Sequence, residues 1–191
     1  MKVLLINGSP HEKGCTYTAL SLVAEELNAC GVETEILSVG TKPVGGCIGC
    51  GGCAKGSGCV FGGVVNEAIE KAKTADGFVF GTPVHYASAS GNMTSFMDRF
   101  SYAGGKYLAY KPAAICCSAR RAGTTATLDQ LAKYPEFFHM PLVSGSYWPM
   151  VHGSAPEQVL QDQEGCAVMR ELGRNMAWLL QCIEAGKAAG I

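Results

Sequence analysis

No stretch of this 191-residue chain is apolar for long enough to cross a bilayer. The uninterrupted runs, Val3 to Ile6, Phe78 to Phe80 and Ala113 to Cys117, are strand-length, whereas a spanning helix needs about 20 apolar residues. A secretory leader is also missing at Met1-Lys2, where no longer apolar segment and no small-residue cleavage site follow, so a cytoplasmic protein without a membrane partner is expected. Charge of one sign is lacking: 15 Lys and Arg face 16 Asp and Glu, a net charge of -1, which leaves no electrostatic footprint for nucleic acid. Charged residues are scarce at 16% against 48% hydrophobic, and that excludes a disordered chain. The first apolar run is followed neither by G-x-G-x-x-G nor by a Gly-Lys-Ser/Thr ending, so the dinucleotide fingerprint and the P-loop are both absent there.

What the chain does contain is a regular alternation of strand and helix patterns. Lys2 to Asn7 reads as a strand covered on both faces. A helix from about Thr16 to Cys30 follows, with Leu20, Val23, Leu27 and Cys30 on one face and Gly31 as its stop. Strands are then predicted at Val32 to Leu37, Gly77 to Phe80, Pro112 to Cys117 and Pro141 to Ser144. Helices are predicted at Val64 to Thr74, from Gly91 to about Phe100, at Thr124 to Tyr134, and after Pro156 with Cys166, Met169, Leu172, Met176, Leu179 and Ile183 on one face. Short right-handed crossovers then give one α/β domain over residues 1-191: a three-layer sandwich with a five-stranded parallel sheet and helices on both faces, for which the flavodoxin-like order 2-1-3-4-5 is expected. Ligands of such sheets bind outside the carboxyl ends of the strands.

Three loops reach that edge. Asn7 to Thr18 leads from a strand into a helix N-terminus, where backbone N–H groups and the helix dipole favour an anion. The hydroxyls of Ser9, Thr16 and Thr18 add neutral donors, which suits a terminal monophosphate, although the same hydroxyls could serve simply as helix caps. Gly81 to Gly91 and Cys117 to Gly123 emerge beside it. Pro83 and Val84 offer apolar surface, His85 and Tyr86 an aromatic face, and Ser118 to Gly123 donors. A flavin ring needs that combination. His85 is a candidate proton donor or a passive wall. Tyr147-Trp148 either covers a neighbouring subunit's flavin or packs locally. His11, Lys13, Arg120 and Arg121 are surface charges that could attract a nicotinamide cofactor's phosphates.

The region from 40 to 63 is rich in glycine and cysteine and has no periodicity, which is long for a loop without a function. Cys47, Cys50, Cys53 and Cys59 read C-x2-C-x2-C-x5-C, closer to a [4Fe–4S] run than to the separated pairs of a zinc site. A cluster, zinc, or four reduced thiols all stay open on spacing alone. The other six cysteines fall mostly in segments that read as core or helix, where a small buried hydrophobe is the ordinary role.

Gly8-Ser9-Pro10 with Gly14 and Thr16, Pro83-Val84 with Tyr86, and Gly91 followed by Phe96-x-Asp98-Arg99 together resemble the NAD(P)H-dependent FMN reductase and iron–sulfur flavoprotein branch of the flavodoxin-like superfamily. The resemblance runs the length of the chain. It implies FMN held by Ser9, Cys15, Thr16, Tyr17 and Thr18 at the phosphate, by Pro83, Val84, His85 and Tyr86 along the ring, and by Ser118, Ala119, Arg120 and Gly123 at the pyrimidine. It also implies Cys47, Cys50, Cys53 and Cys59 as ligands of a [4Fe–4S] cluster, with Asp98 and Arg99 in structural roles. The expected activity is transfer of electrons from NAD(P)H through FMN to a small acceptor such as a quinone, an azo or nitro compound, a ferric chelate or free flavin. The competing expectation is an electron carrier between ferredoxin and a partner protein. A redox-sensing module built on the clustered thiols is a third. A homodimer or homotetramer is implied in each case.

Overall fold

In the computed structural model, which describes residues 1–56 and 58–191, β1 (Lys2–Asn7) and β3 (Gly77–His85) lie side by side at the centre of a parallel sheet. Their apolar runs make sense there, because both faces are covered. Side chains alternate between faces, and the core divides accordingly. Leu4, Ile6, Phe78 and Phe80 point to one side, and Val3, Leu5 and Val79 to the other. β2 (Glu33–Ser38) takes the edge beyond β1, while β5 (Ala113–Ala119) and β6 (Met150–His152) extend the sheet beyond β3. The order is β2-β1-β3-β5-β6, all parallel, with the two-residue β4 (Ser88–Ala89) folded back antiparallel on β3. Apart from that sixth short strand, this is the predicted flavodoxin-like order.

α1 (Cys15–Ala29) and α6 (Gln163–Ala188) cover one face. They approach closely at Gly173, where a Cβ would stand 2.7 Å from the carbonyl oxygen of Val23. α2 (Val64–Ala72), α3 (Gly91–Gly104) and α4 (Thr124–Phe137) cover the other. Under α3 the rings of Phe96 and Phe100 stack at 5.2 Å, and Phe100 meets Phe78 and Phe80 edge-on at 6.2 and 6.4 Å.

Several expectations need correction. The predicted fifth strand at Pro141 to Ser144 contributes one bridge, Leu142 to Ala113. The chain then leaves the sheet and returns as β6. Gly145 and Pro149 interrupt the apolar run there, and only Val151 of β6 is fully buried. The loop predicted from Thr82 to Gly91 is instead the end of β3 and a hairpin. The last helix is split into α5 (Pro156–Val159) and α6, the second starting on Asp162, whose side chain accepts from the Gly165 N–H. Cys30 lies past the buried face of α1 and is exposed, as is Cys182. Cys15 and Cys166 are half-buried, so only Cys116 and Cys117 act as buried core residues. Among the described residues from 40 to 63 the regular structure is a single 3-10 turn, Gly52–Lys55.

Burial pushes the Cys117 thiol up to about 12 and raises the Cys116 thiol as well. The folded chain therefore keeps protons that an unfolded chain releases above about pH 8.5. Stability is full below that pH and falls as pH rises toward 12, by up to about 1.4 kcal/mol per pH unit for Cys117. Urea unfolding between pH 7 and 10 should show this decline, with a shallower slope in Cys117→Ala. Equal slopes in the two proteins would show that the thiol is not its source.

Candidate functional site at the carboxyl edge of the sheet

β1, β3 and β5 each lead toward a helix, so α1, α3 and α4 all begin at one edge of the sheet. Their first N–H groups have no partner inside the helix. α3 has one of its own capped: the Ser90 hydroxyl accepts from the Met93 N–H and donates to the Gly8 carbonyl at 2.8 Å. α1 begins on Gly14 and α4 on Gly123, and neither end has a side-chain cap. Two helix N-termini with free donors and a favourable dipole thus face the same edge.

The loops between them are tied together by short polar contacts. The Gly8 N–H donates to the Gly81 carbonyl, and the Val39 N–H to the Asn7 carbonyl. The Asn7 side chain accepts from the Ser9 N–H and donates to the Glu12 carbonyl. Gly40 presses against this turn so closely that a Cβ would lie 2.4 Å from the Ser9 carbonyl oxygen. The buried hydroxyls of Thr16 and Ser118 are 2.8 Å apart, joining the first loop to the end of β5. The β3–β4 hairpin turns through Tyr86 and Ala87, both at positive φ (51° and 60°). That turn geometry ordinarily selects Asn or Gly. Gly123, at φ +92°, makes room for it: a Cβ there would meet the Ala87 Cα at 2.6 Å. Gln130 of α4 accepts from the Ser88 hydroxyl and the Ala89 N–H, holding the hairpin from the side.

Hydroxyl bookkeeping refines the predicted donor set, since each hydroxyl has one proton to give. Ser9 accepts from the His11 N–H and keeps its own proton free. The Thr16–Ser118 pair uses one proton internally and leaves one. Thr18 donates to the Gly14 carbonyl and has none to spare. Cys15 is half-buried, its sulfur 3.6 Å from the Gly153 carbonyl, and burial raises its thiol above the ordinary range. Tyr17, Pro83, Val84 and Gly123 are half-buried, Ser118 and Ala119 are buried, and His85, Tyr86 and Arg120 are exposed. Sequence reasoning missed Asn7, Gly40, Ser90 and Gln130. Only Ser90, a serine just before a helix, carried a local signal.

The four clustered cysteines, all free thiols, line one cavity of about 220 Å³ together with Phe61, Arg99 and Tyr102. They sit side by side without closing on a single point: among the described residues no three Cys, His, Asp or Glu side chains gather tightly enough to hold one metal ion. Gly51, at φ 69°, reverses the chain between Cys50 and Cys53, a conformation that favours glycine. Three side chains fix the loop from outside. Asn92 donates to the carbonyls of Gly40 and Lys42 and accepts from the Val44 N–H. Asn66 bonds both the N–H and the carbonyl of Cys59. Arg99 donates to the Cys59 sulfur and to the carbonyls of Gly45 and Gly62.

Two larger cavities are present. One of about 700 Å³ between α3 and α4 borders the cysteine loop at Cys53 and contains Tyr134, whose hydroxyl donates to Asp98 at 2.6 Å. One of about 410 Å³ lies under the interrupted fifth strand, where Tyr147 and Trp148 meet edge-on at 4.8 Å and stay exposed. Neither collects the free donors described above.

The model of the NADPH-dependent FMN reductase family matches residues 1–155. An iron–sulfur flavoprotein of Methanocaldococcus jannaschii is 33% identical over 197 residues, covering 96% of this chain and 100% of that protein. One from Archaeoglobus fulgidus is 31% identical over 170 residues, 86% of this chain and 83% of its own length. Among solved structures, the apo form of an NADH:FMN oxidoreductase superposes with a TM-score of 0.68 at 18% identity, over 93% of this chain and 88% of that one. At that identity the likeness speaks for the fold.

The Thr16–Ser118 contact is testable by a double-mutant cycle. Ser118→Ala leaves a buried hydroxyl unpaired and should cost about 1–3 kcal/mol in urea unfolding. Thr16→Val/Ser118→Ala should cost less than the two single changes added, by about 0.5–3 kcal/mol. Strict additivity would mean the two hydroxyls do not act as a pair.

Proposed function

Because the chain belongs to the NADPH-dependent FMN reductase family, we propose that it binds FMN at the carboxyl edge of its sheet and works as an FMN-dependent oxidoreductase. The observation that carries the reading is the pair of uncapped helix N-termini, at Gly14 and Gly123, joined by the buried Thr16–Ser118 contact. A phosphate at the first would take the spare N–H groups of α1, the Ser9 proton and the free proton of the Thr16–Ser118 pair. A ring carbonyl at the second would take N–H groups from the start of α4. The residues present therefore fit FMN.

Bound FMN supplies an acceptor for an electron pair and a donor of one or two electrons. The chain's part is positioning. Pro83 and Val84 form an apolar wall, and the Tyr86–Ala87 turn, wedged against Gly123, keeps it in place. NAD(P)H is the proposed donor and a small molecule the acceptor, each using the same open side of the site in turn. Quinones, azo or nitro compounds, ferric chelates and free flavin are the candidate classes. His85 and Tyr86 stand exposed at that side, where a proton donor or a second subunit of a homo-oligomer would be met.

A second reading is favoured by the cysteine cavity: an iron–sulfur flavoprotein that carries electrons between ferredoxin and a partner protein. Four free thiols share one cavity. A [4Fe–4S] cluster takes one cysteine thiolate on each of its irons, so the donor set fits such a cluster, which Cys47, Cys50, Cys53 and Cys59 would hold.

Anaerobic purification followed by a visible spectrum, with iron and acid-labile sulfide assayed on the same sample, separates the readings. The two visible bands of oxidised flavin are expected, and their absence even after FMN is added would end the central proposal. About four irons per chain with slow turnover of NAD(P)H favours the carrier. Flavin without iron and rapid NAD(P)H oxidation favours the reductase.

A further inference from the structure

Arg99 stands in the third turn of α3 with only 6% of its surface exposed. Guanidinium stays protonated in proteins, and a buried charge is costly unless an opposite charge or a full set of hydrogen bonds compensates it. Among the described residues no carboxylate lies within ion-pair distance of Arg99. The neighbouring Asp98 is taken by the Tyr134 hydroxyl. The partners that Arg99 does have are neutral carbonyls, Gly45 at 3.3 Å and Gly62 at 3.0 Å, and the ring of Phe61 at 5.4 Å. The remaining contact is its Nε–H on the Cys59 sulfur at 3.2 Å. The one group on hand that can take a negative charge beside this cation is the sulfur.

The geometry points to Arg99 as a positioning residue that raises the reduction potential of an iron–sulfur cluster on Cys47, Cys50, Cys53 and Cys59. The inference rests on the cluster reading above. A cluster held by four thiolates becomes more negative when one electron enters, with no bond made or broken. A fixed positive charge and an N–H donor at one ligand sulfur both favour the reduced form, and these are the levers by which proteins set cluster potentials. The orientation of the guanidinium serves this. Its two outer nitrogens are held by carbonyls on either side of the loop, so Nε is aimed at Cys59 and cannot swing into water. Lysine would keep the charge but not the aim.

The test uses the anaerobically purified holoprotein, with dithionite as reductant and the cluster followed by EPR during a redox titration. Arg99→Gln should shift the cluster toward the oxidised form by at least tenfold in the equilibrium, equivalent to a midpoint about 59 mV lower for one electron. Arg99→Lys should fall between this variant and the wild type. A midpoint unchanged in Arg99→Gln would overturn the proposal. A second measurement needs no variant: wild-type protein grown with ¹⁵N-labelled arginine, reduced and examined by pulsed EPR, should show nitrogen coupled to the cluster. Absence of that coupling would overturn the proposal even if Arg99→Gln fails to fold. Wild-type protein without iron or sulfide would instead overturn the cluster reading itself, which keeps the two failures distinct.

Discussion

A parallel sheet covered on both faces leaves its chemistry nowhere to go but the ends of its strands. Val3 to Ile6 and Phe78 to Phe80 are buried on both sides, so neither face of the sheet can admit a ligand. Because β1, β3 and β5 run the same way, the helices that follow them all begin at one edge, and their unpaired N–H groups accumulate there. The three starts are treated differently. Ser90 caps one N–H of α3 and locks that helix to Gly8, whereas Gly14 and Gly123 give α1 and α4 no side-chain cap. The Thr16–Ser118 bond ties the start of α1 to the end of β5, just ahead of the second uncapped end.

The cysteine loop obeys a different logic. Its glycines and cysteines bury little apolar surface, so the hydrophobic effect that fixes the sheet has small purchase on it. Polar side chains from the covering helices hold it instead. Asn92 takes its start, Asn66 its end, and Arg99 clamps both. All three belong to α2 or α3, whose inner faces are anchored by Val65, Ile69, Phe96 and Phe100 in the core. The loop is therefore positioned by the core at second hand.

The same division explains what could be read from residues alone. The strands β1, β3 and β5 and the helix α1 were legible because their burial patterns are local and periodic. The turn from β1 into α1 was legible because it follows the first strand and ends at a helix start. The fifth strand was not, since its pairing is divided between Leu142 and Met150–His152 by a detour whose Gly145 and Pro149 look like any loop. The hairpin was hidden because Tyr86-Ala87 is an unlikely pair for two positive φ values, and the compensation, Gly123, lies far along the chain. Cys30 and Cys182 passed for buried residues because helical spacing does not say where a helix face ends. Asp98 and Arg99 read as structural, yet their separate partners, Tyr134 and the cysteine loop, depend on side chains that meet only after folding.

One element bears on both regions. α3 touches the loop after β1 through Ser90 at its start and the cysteine loop through Arg99 further along. Nine residues at 1.5 Å rise separate those contacts by about 14 Å along the axis. The helix is anchored by the stack of Phe96 and Phe100 beneath it, with Met93 packed against Gly8 at its first turn. A close-packed interior transmits displacement and does not absorb it. A shift at either end of α3 must then be felt at the other. Filling the space at Gly8, where a Cβ would lie 2.7 Å from the Met93 sulfur, would press on the same rod that aims Arg99 at Cys59. The carboxyl edge of the sheet and the cysteine loop are therefore coupled through α3, which holds both.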